Sequence, residues 1–267
     1  MRKSLAFVGL SVLLLMVGCN KNNWETDPDY PTIIEEMDKT GINQIAGELG
    51  LSPMADCQSV DDFGFPLIDL DDSLCIDTDN WIYYATSKEL ADSAQAAIFR
   101  YSHLLNVADT SEIQISSIIS TDQTSYEAFY EEPNDSGPPA WIVTTRPQQY
   151  NNLEIYGSSL KVVLAPDHIA GIAGHWFDKI YIPASDNLSE AEAKESLYNR
   201  TFTYKSRYEI IPTSGMTWHE SKRVIIPVRR SNTIELRLCW ALYPSTWEIT
   251  VDTQTGEVIT KVDISVL

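Results

Sequence analysis

The chain has 267 residues, with 38 Asp and Glu against 19 Lys and Arg, so its formal net charge is −19 at pH 7. A surface with this excess of acid repels nucleic acid and anionic lipid headgroups, and we exclude nucleic acid as a partner. The length is enough for two modest domains, each with a core of its own. After the N-terminal segment, the sequence has no apolar stretch long enough to span a bilayer.

Residues 1–20, MRKSLAFVGLSVLLLMVGCN, predict an export signal. A basic head precedes an apolar run over residues 5–17, which is too short for a stable membrane-spanning helix. Gly18 and Cys19 end this run, and a small residue directly before cysteine resembles the lipobox of bacterial lipoproteins. The resemblance implies that residues 1–18 are removed and that Cys19 carries a lipid anchor, on the periplasmic or cell-surface side of the envelope. The alternative is an ordinary signal peptide with an incidental cysteine.

Residues 19–80 are predicted to form a polar tether followed by an acidic extension. Cys57 and Cys75 bracket an acidic loop in this extension. Because export leads to an oxidising compartment, we expect them to form a disulfide, which leaves Cys239 unpaired. The run DLDDSLCIDTDN is typical of a solvated acidic loop. Calcium binding is the alternative, although Leu74 stands where an EF-hand loop requires glycine.

Helical periodicity appears twice in the first half of the chain. Apolar residues at roughly helical spacing predict a helix over residues 33–49. In TSKELADSAQAAIFRYSHLL, Thr86 and Glu89 predict a capping box, and the apolar stripe that follows predicts a second, clearer helix. Short runs of β-forming residues then predict strands up to residue 176.

The same arrangement recurs in the second half. Ser189 and Glu192 predict another capping box and a short helix, and alternating runs predict strands up to residue 265. We therefore predict an α+β fold of two units of one design, each a helix packed on an antiparallel sheet. The predicted domains are residues 81–184 and 185–267. The aromatic residues of the strands are expected to fill the core of each unit.

The segment TWHESKR begins like the zinc-peptidase motif H-E-x-x-H, with His219 and Glu220 in the first two positions. Arg223 stands where a second imidazole must bind the metal, so the sequence predicts no zinc site here. The other histidines show no metal spacing: His103, His168 and His175. No serine or cysteine lies in a G-x-S-x-G turn. We predict no catalytic residue, metal or cofactor, and a triad assembled from distant residues is left open.

Residues 146–176, RPQQYNNLEIYGSSLKVVLAPDHIAGIAGHW, resemble the propeptide module of thermolysin- and fungalysin-type metallopeptidases, known as the FTP domain. The matching features are the step Gln149-Tyr150, the run LEIYG, the strand LKVVL and Gly174. The chain departs from the family at Asn152, where glycine is usual, and at Asp167-His168, where the family turn is Asp-Gly. Both departures fall in turns.

The stretch TWEITVDTQTGEVI, residues 246–259, alternates apolar and polar residues around a glycine turn and predicts a β-hairpin. We expect Gly256 to adopt positive φ in that turn, with Trp247, Ile249 and Val251 facing a core. Together with LSEAEAKESL, this hairpin resembles the closing hairpin of the PepSY domain. The resemblance covers roughly residues 80–265 and implies propeptide/cystatin-like units.

In those peptidases the propeptide assists folding of the catalytic domain and inhibits it. The chain stops about where such a catalytic domain would begin. The resemblance therefore implies a non-enzymatic, lipid-anchored module that binds or regulates a secreted peptidase or another envelope protein. A free sheet edge that accepts a partner's strand is the expected binding mode. The alternatives are a surface protein that binds small molecules or glycans and an unrecognised hydrolase built around His168 or His175. The oligomeric state is not predicted.

Overall fold

The computed structural model describes residues 30–35, 59–60, 66–69, 86–103, 105–120, 140–165, 169–204, 207–211 and 217–264. The helices in these ranges are α1 (Ser87–Arg100), α2 (Glu190–Glu195) and a 3-10 helix, Thr110–Glu112. The strands are β1 (Thr32–Glu35), β2 (Ser59–Val60), β3 (Pro66–Asp69), β4 (Ile115–Ser120), β5 (Trp141–Thr145), β6 (Gln149–Tyr150), β7 (Leu153–Ile155), β8 (Leu160–Leu164), β9 (Ile169–Gly174), β10 (Thr201–Tyr204), β11 (Arg207–Ile210), β12 (Lys222–Arg230), β13 (Thr233–Leu242), β14 (Trp247–Asp252) and β15 (Val258–Asp263). None of the described helices is long and apolar enough to cross a membrane.

The strands form two large sheets. The first sheet has the order β2-β3-β9-β8-β5-β4 and is antiparallel throughout. The second sheet has the order β15-β14-β13-β12-β7-β6, with β1 alongside β13, and its one parallel pair joins β7 to β12. A separate hairpin joins β10 to β11.

Helix α1 begins after Thr86, as predicted, and packs on the first sheet. The Thr86 side chain accepts a hydrogen bond from the backbone N–H of Glu89, which satisfies one of the free donors at the helix start. The buried stripe of the helix then meets β4, β5 and β8. The shared core contains Leu90, Ala94, Ala97, Ile98, Tyr101, Trp141, Val143, Leu160, Val162, Leu164 and Ile172.

Helix α2 begins with the second predicted capping box. The Glu192 carboxylate accepts from the Ser189 N–H at 2.8 Å, and this bond lowers the pKa of Glu192. The helix packs beside β13, and Ala193 and Leu197 reach the core under the closing hairpin. Trp247, Ile249 and Val251 lie in that core, as the alternation of the hairpin predicts.

The predicted fold class is wrong, because the protein is mostly β-sheet and does not form two helix-on-sheet units. Helix α2 has six residues, about 9 Å in length, so it covers only a small part of a seven-stranded sheet. In addition, β1, β6 and β7 belong to the second sheet although they precede residue 185. The helix predicted over residues 33–49 is also wrong at residues 33–35, which lie in β1 because the β-branched run TII suits a strand.

Gly174 ends β9 at a point where another side chain does not fit. Its φ is 124°, and a Cβ atom there would lie 2.0 Å from the carbonyl oxygen of Ser159. Gly157 also has positive φ, 72°, but the nearest atom to a Cβ there is Nδ1 of His175 at 4.0 Å. Any other residue would have a strained backbone at both positions, but only at Gly174 would its Cβ atom also overlap another atom. Substitutions at the two positions therefore distinguish backbone strain from steric overlap.

We expect Gly174→Ala to lower the free energy of unfolding by more than about 3 kcal/mol, because backbone must move to make room for the methyl group. Gly157→Ala has backbone strain without the overlap and is expected to cost about 1 kcal/mol. Urea denaturation of both variants measures the difference. Equal losses would show that the overlap with Ser159 does not limit this position.

Candidate functional site

A solvent-open cleft of about 440 Å³ lies where the chain passes between the two sheets. It is lined by Glu112, Gln114, Arg146, Pro147, Gln148, Gln149 and Trp176. A smaller recess of about 190 Å³ shares Gln148, Gln149 and Trp176 with the cleft and extends it toward Asp178. Because β5 ends at residue 145 and β6 begins at residue 149, the cleft follows the step from the first sheet to the second.

The back of the cleft is fixed by Gln148, whose exposed fraction is 5%. Its side-chain Nε2 donates to the carbonyl oxygen of Phe177 at 2.8 Å, and its Oε1 accepts from the Phe177 N–H at 2.9 Å. Its backbone N–H donates to Ser158, and its carbonyl accepts from the Ile155 N–H at 2.9 Å. The chain passes from one sheet to the other after β5, after β7 and after β9. These three connections are therefore hydrogen-bonded to one another through Gln148.

The front of the cleft is the edge strand β6, which is held in register by a tight turn. Asn151 and Asn152 have φ of 50° and 63°, as a two-residue type I′ hairpin turn requires. Asn152, the departure from the propeptide family, is therefore compatible with the turn, because asparagine tolerates this backbone region. In the hairpin, Gln149 lies opposite Glu154 and Tyr150 lies opposite Leu153.

The backbone of Gln149 points away from the sheet. Gln148 and Ile155 are a hydrogen-bonded pair, since the Ile155 N–H donates to the Gln148 carbonyl. Hydrogen-bonded and non-hydrogen-bonded pairs alternate in an antiparallel ladder, so the next pair, Gln149 with Glu154, is not hydrogen-bonded. The N–H and C=O of Gln149 therefore face the outer side of β6, where the cleft lies. Its side chain is exposed as well.

The cleft is polar, and its tryptophan offers no flat face. Trp176 is only 3% exposed, because its ring packs into the core of the first sheet. Arg146 and Glu112 are both exposed at the rim and provide one charge of each sign. The arrangement presents one pair of main-chain hydrogen-bonding groups, side-chain amides and a charged rim, which are groups that recognise a peptide backbone.

Most of the site residues predicted from the sequence fall outside the part of the chain that the structure describes. Cys19, Cys57 and Cys75 are not among the described residues, so lipidation and the disulfide stay predictions. Cys239 is described as a free, fully buried thiol. Burial and the nearby Asp252 carboxylate raise the pKa of this thiol, which makes it a poor nucleophile.

The described histidines lie apart from one another. His103 and His219 are exposed, and Arg223, which stands in the metal position of TWHESKR, pairs with Asp186 at 3.4 Å. Nδ1 of His175 lies 3.2 Å from the carbonyl oxygen of Gly157. Among the described residues no group of three or more His, Cys, Asp or Glu is placed to hold a metal ion. His168 lies outside the described ranges.

The closing hairpin turns as predicted, with Gly256 at φ 72°. The alternation pattern did not indicate the role of Asp252. This buried carboxylate accepts from the N–H groups of Gln254 and Thr255, both at 2.8 Å, and pairs with Arg237 at 3.2 Å. An aspartate at the start of a D-x-x-T-G turn is the signal that predicts such a cap.

Comparisons with known proteins leave the family open. No protein-family model matches the chain, and no curated protein matches it. Among solved structures, the chain is similar to the Bacillus megaterium YpeB C-terminal domain at 15% sequence identity. That similarity covers 86% of this chain and 98% of the other, with a TM-score of 0.30. At this TM-score, function has to be argued from the chain's own residues.

We expect Gln148→Leu to lower the free energy of unfolding by about 2–4 kcal/mol, because it removes both side-chain bonds to the Phe177 backbone inside a buried region. The adjacent Gln149→Leu changes an exposed side chain and is expected to shift it by less than about 0.5 kcal/mol. Chemical denaturation of the two variants makes the comparison. If both variants match the unaltered protein, Gln148 does not hold the sheets together.

Proposed function

We propose that the protein is a non-catalytic, envelope-anchored lipoprotein that binds an extended segment of another protein in the cleft between its sheets. The observation that supports this most strongly is the outward-facing N–H and C=O of Gln149 on edge strand β6. An extended chain laid along β6 would pair with both groups and add a strand to the second sheet. Binding by main-chain pairing is consistent with a regulatory role, since it needs no reaction at the site.

The expected affinity follows from the small size of the edge. Two main-chain hydrogen bonds contribute about 0.5–1.5 kcal/mol each in water. A micromolar complex requires about 8 kcal/mol, so most of the affinity must come from side chains of the partner in the cleft and recess. The two parts of the site would then act differently: β6 fixes the direction of the bound segment, and the rim around Arg146 and Glu112 selects its side chains.

The first partner to test is a secreted peptidase, and another envelope protein is the second. This order rests on the sequence resemblance of residues 146–176 and of the closing hairpin to peptidase propeptides. A protein partner is favoured over a glycan because Trp176, the tryptophan at the cleft, is buried and offers no face for stacking on a sugar. Cys19 would hold the cleft near the membrane in which the protein is anchored.

We expect Gln149→Pro to weaken peptide binding about ten-fold or more, because proline removes the outward N–H of β6 and places a ring in the path of an added strand. Gln149→Ala keeps that N–H and is the matched control. Peptides are selected from a random library displayed on phage, with the full chain in detergent as bait. Their affinities for the three proteins are then measured by fluorescence anisotropy. A library without binders, or binders that do not distinguish the two variants, would argue against strand addition at β6.

We expect Cys19→Ala to abolish labelling of the protein by radioactive palmitate in a bacterial host and to move it from the detergent phase to the aqueous phase of Triton X-114, because the lipobox cysteine is the predicted acceptor. Cys239→Ala is the control, since this buried thiol is not accessible to the lipid-transferring enzymes. Unchanged labelling of the Cys19 variant would refute the lipoprotein assignment while leaving the cleft untouched.

A further inference from the structure

Two tyrosines from distant parts of the chain meet on the second sheet. Tyr156 directly follows β7, and Tyr243 directly follows β13. Their hydroxyl oxygens lie 3.1 Å apart, which is hydrogen-bonding distance, although 87 positions separate the two residues. Both side chains are partly buried, and both pack against the same cluster of the sheet, which consists of Val224, Ile226, Cys239 and Ala241. This packing holds the two phenols together and leaves part of each side chain accessible to solvent.

The groups around the pair keep Tyr156 neutral and restrain its ring. Burial raises the pKa of the Tyr156 hydroxyl, and the hydrogen bond with Tyr243 and the negative charge of Glu248 raise it further. The Lys222 ammonium lies 5.0 Å from the centre of the Tyr156 ring and pairs with Glu154 at 3.2 Å. Its positive charge disfavours loss of an electron from this ring, so Tyr243 would be oxidised first. Because a phenol that loses an electron becomes a strong acid, the Glu248 carboxylate is a nearby acceptor for the proton of Tyr156.

The contact between the two hydroxyls matches the geometry of a coupled tyrosine pair. In dityrosine the rings are joined at the carbons next to the hydroxyl-bearing carbons, so the two hydroxyls flank the new bond. They lie within hydrogen-bonding distance of each other in that product, as the hydroxyls of Tyr156 and Tyr243 do here. Coupling therefore keeps a contact that already exists, and the rings turn toward each other about it.

A bond at this point would fasten a strand that the second sheet holds by few hydrogen bonds. Strand β7 pairs with β12 at two positions only, Glu154 and Ile155, and it carries β6 on its other side. Tyr243 follows β13, which pairs with β12 over its whole length from Lys222 to Arg230. A covalent bond between the two rings would therefore attach β7, and β6 beside it, to the long β12–β13 pair.

We propose that Tyr156 and Tyr243 form a modification site, at which a peroxidase-type oxidant joins the two rings as dityrosine. Each phenol gives one electron to the oxidant and loses its hydroxyl proton, which leaves two phenoxyl radicals. The radicals form a carbon–carbon bond between their ortho carbons, and the hydrogen on each ortho carbon moves to the oxygen of its own ring. The net change is the loss of two electrons and two protons from the protein, which reduce one hydrogen peroxide to two waters. This site does not rest on the proposed function of the cleft.

The test treats the full chain, in detergent, with a haem peroxidase and hydrogen peroxide, and separates the monomer. We expect blue dityrosine fluorescence in the monomer. We also expect a proteolytic fragment that joins the peptides of Tyr156 and Tyr243 and has lost two hydrogen atoms. Tyr156→Phe and Tyr243→Phe keep the ring but should each abolish this fragment. Tyr181→Phe alters an exposed tyrosine and is the matched control, in which the fragment should persist.

A second measurement tests whether the bond fastens β7. The oxidised monomer should unfold at a higher urea concentration than the untreated protein, because the cross-link closes a loop of 87 positions in the unfolded chain. Treated Tyr243→Phe should show no such rise. The fragment is mapped in the unaltered protein, so the result stands even where a variant does not fold. A monomer without the joined fragment, a fragment that joins other tyrosines instead, or an unchanged urea midpoint of the cross-linked monomer would overturn the proposal.

Discussion

The relative placement of the two sheets depends on one buried amide. The Gln148 side chain completes both backbone hydrogen bonds of Phe177, and its own backbone is bonded to Ser158 and Ile155. A buried amide without these partners would cost more free energy than the bonds contribute, so the arrangement is effectively all-or-none. The residues that line the cleft are positioned by these hydrogen bonds of Gln148. The back of the site is therefore fixed by buried hydrogen bonds.

The proposed binding surface at β6 uses a general property of a sheet, the unpaired main-chain groups of an edge. At β6 a two-residue strand limits the edge to one outward N–H and C=O, which restricts non-specific pairing. At β13, β1 covers the edge from Thr233 to Leu236, and the carbonyl of Leu238 accepts from the N–H of Thr253. The far edge of the second sheet, β15, presents the exposed Lys261, a charged residue of the kind that discourages edge-to-edge association.

Local features of the fold could be predicted from the sequence, and long-range pairings could not. The helix start at Thr86, the capping box at Ser189 and the turn at Gly256 are set by residues within a few positions of one another, and the structure confirms them. The parallel pairing of β7 with β12 joins residues 70 positions apart, such as Val224 with Glu154, and leaves no local pattern. The cleft was missed for the same reason. In the sequence, Gln148 looks like any polar residue in a turn. Its structural role depends on hydrogen-bond partners that are distant along the chain.

The position of β1 also determines how the protein would respond to a mechanical load. Tension on the chain ahead of Tyr30 enters the fold through β1 and reaches β13, a strand paired along both edges, only after passing through those four residues. Ile34 of β1 also packs against the core of the second sheet, so this packing has to be broken when β1 separates. Under stretching, we expect β1 to separate from β13 first, while the two sheets stay folded. Separation of β1 would then leave the edge of β13 from Thr233 to Leu236 without its partner strand.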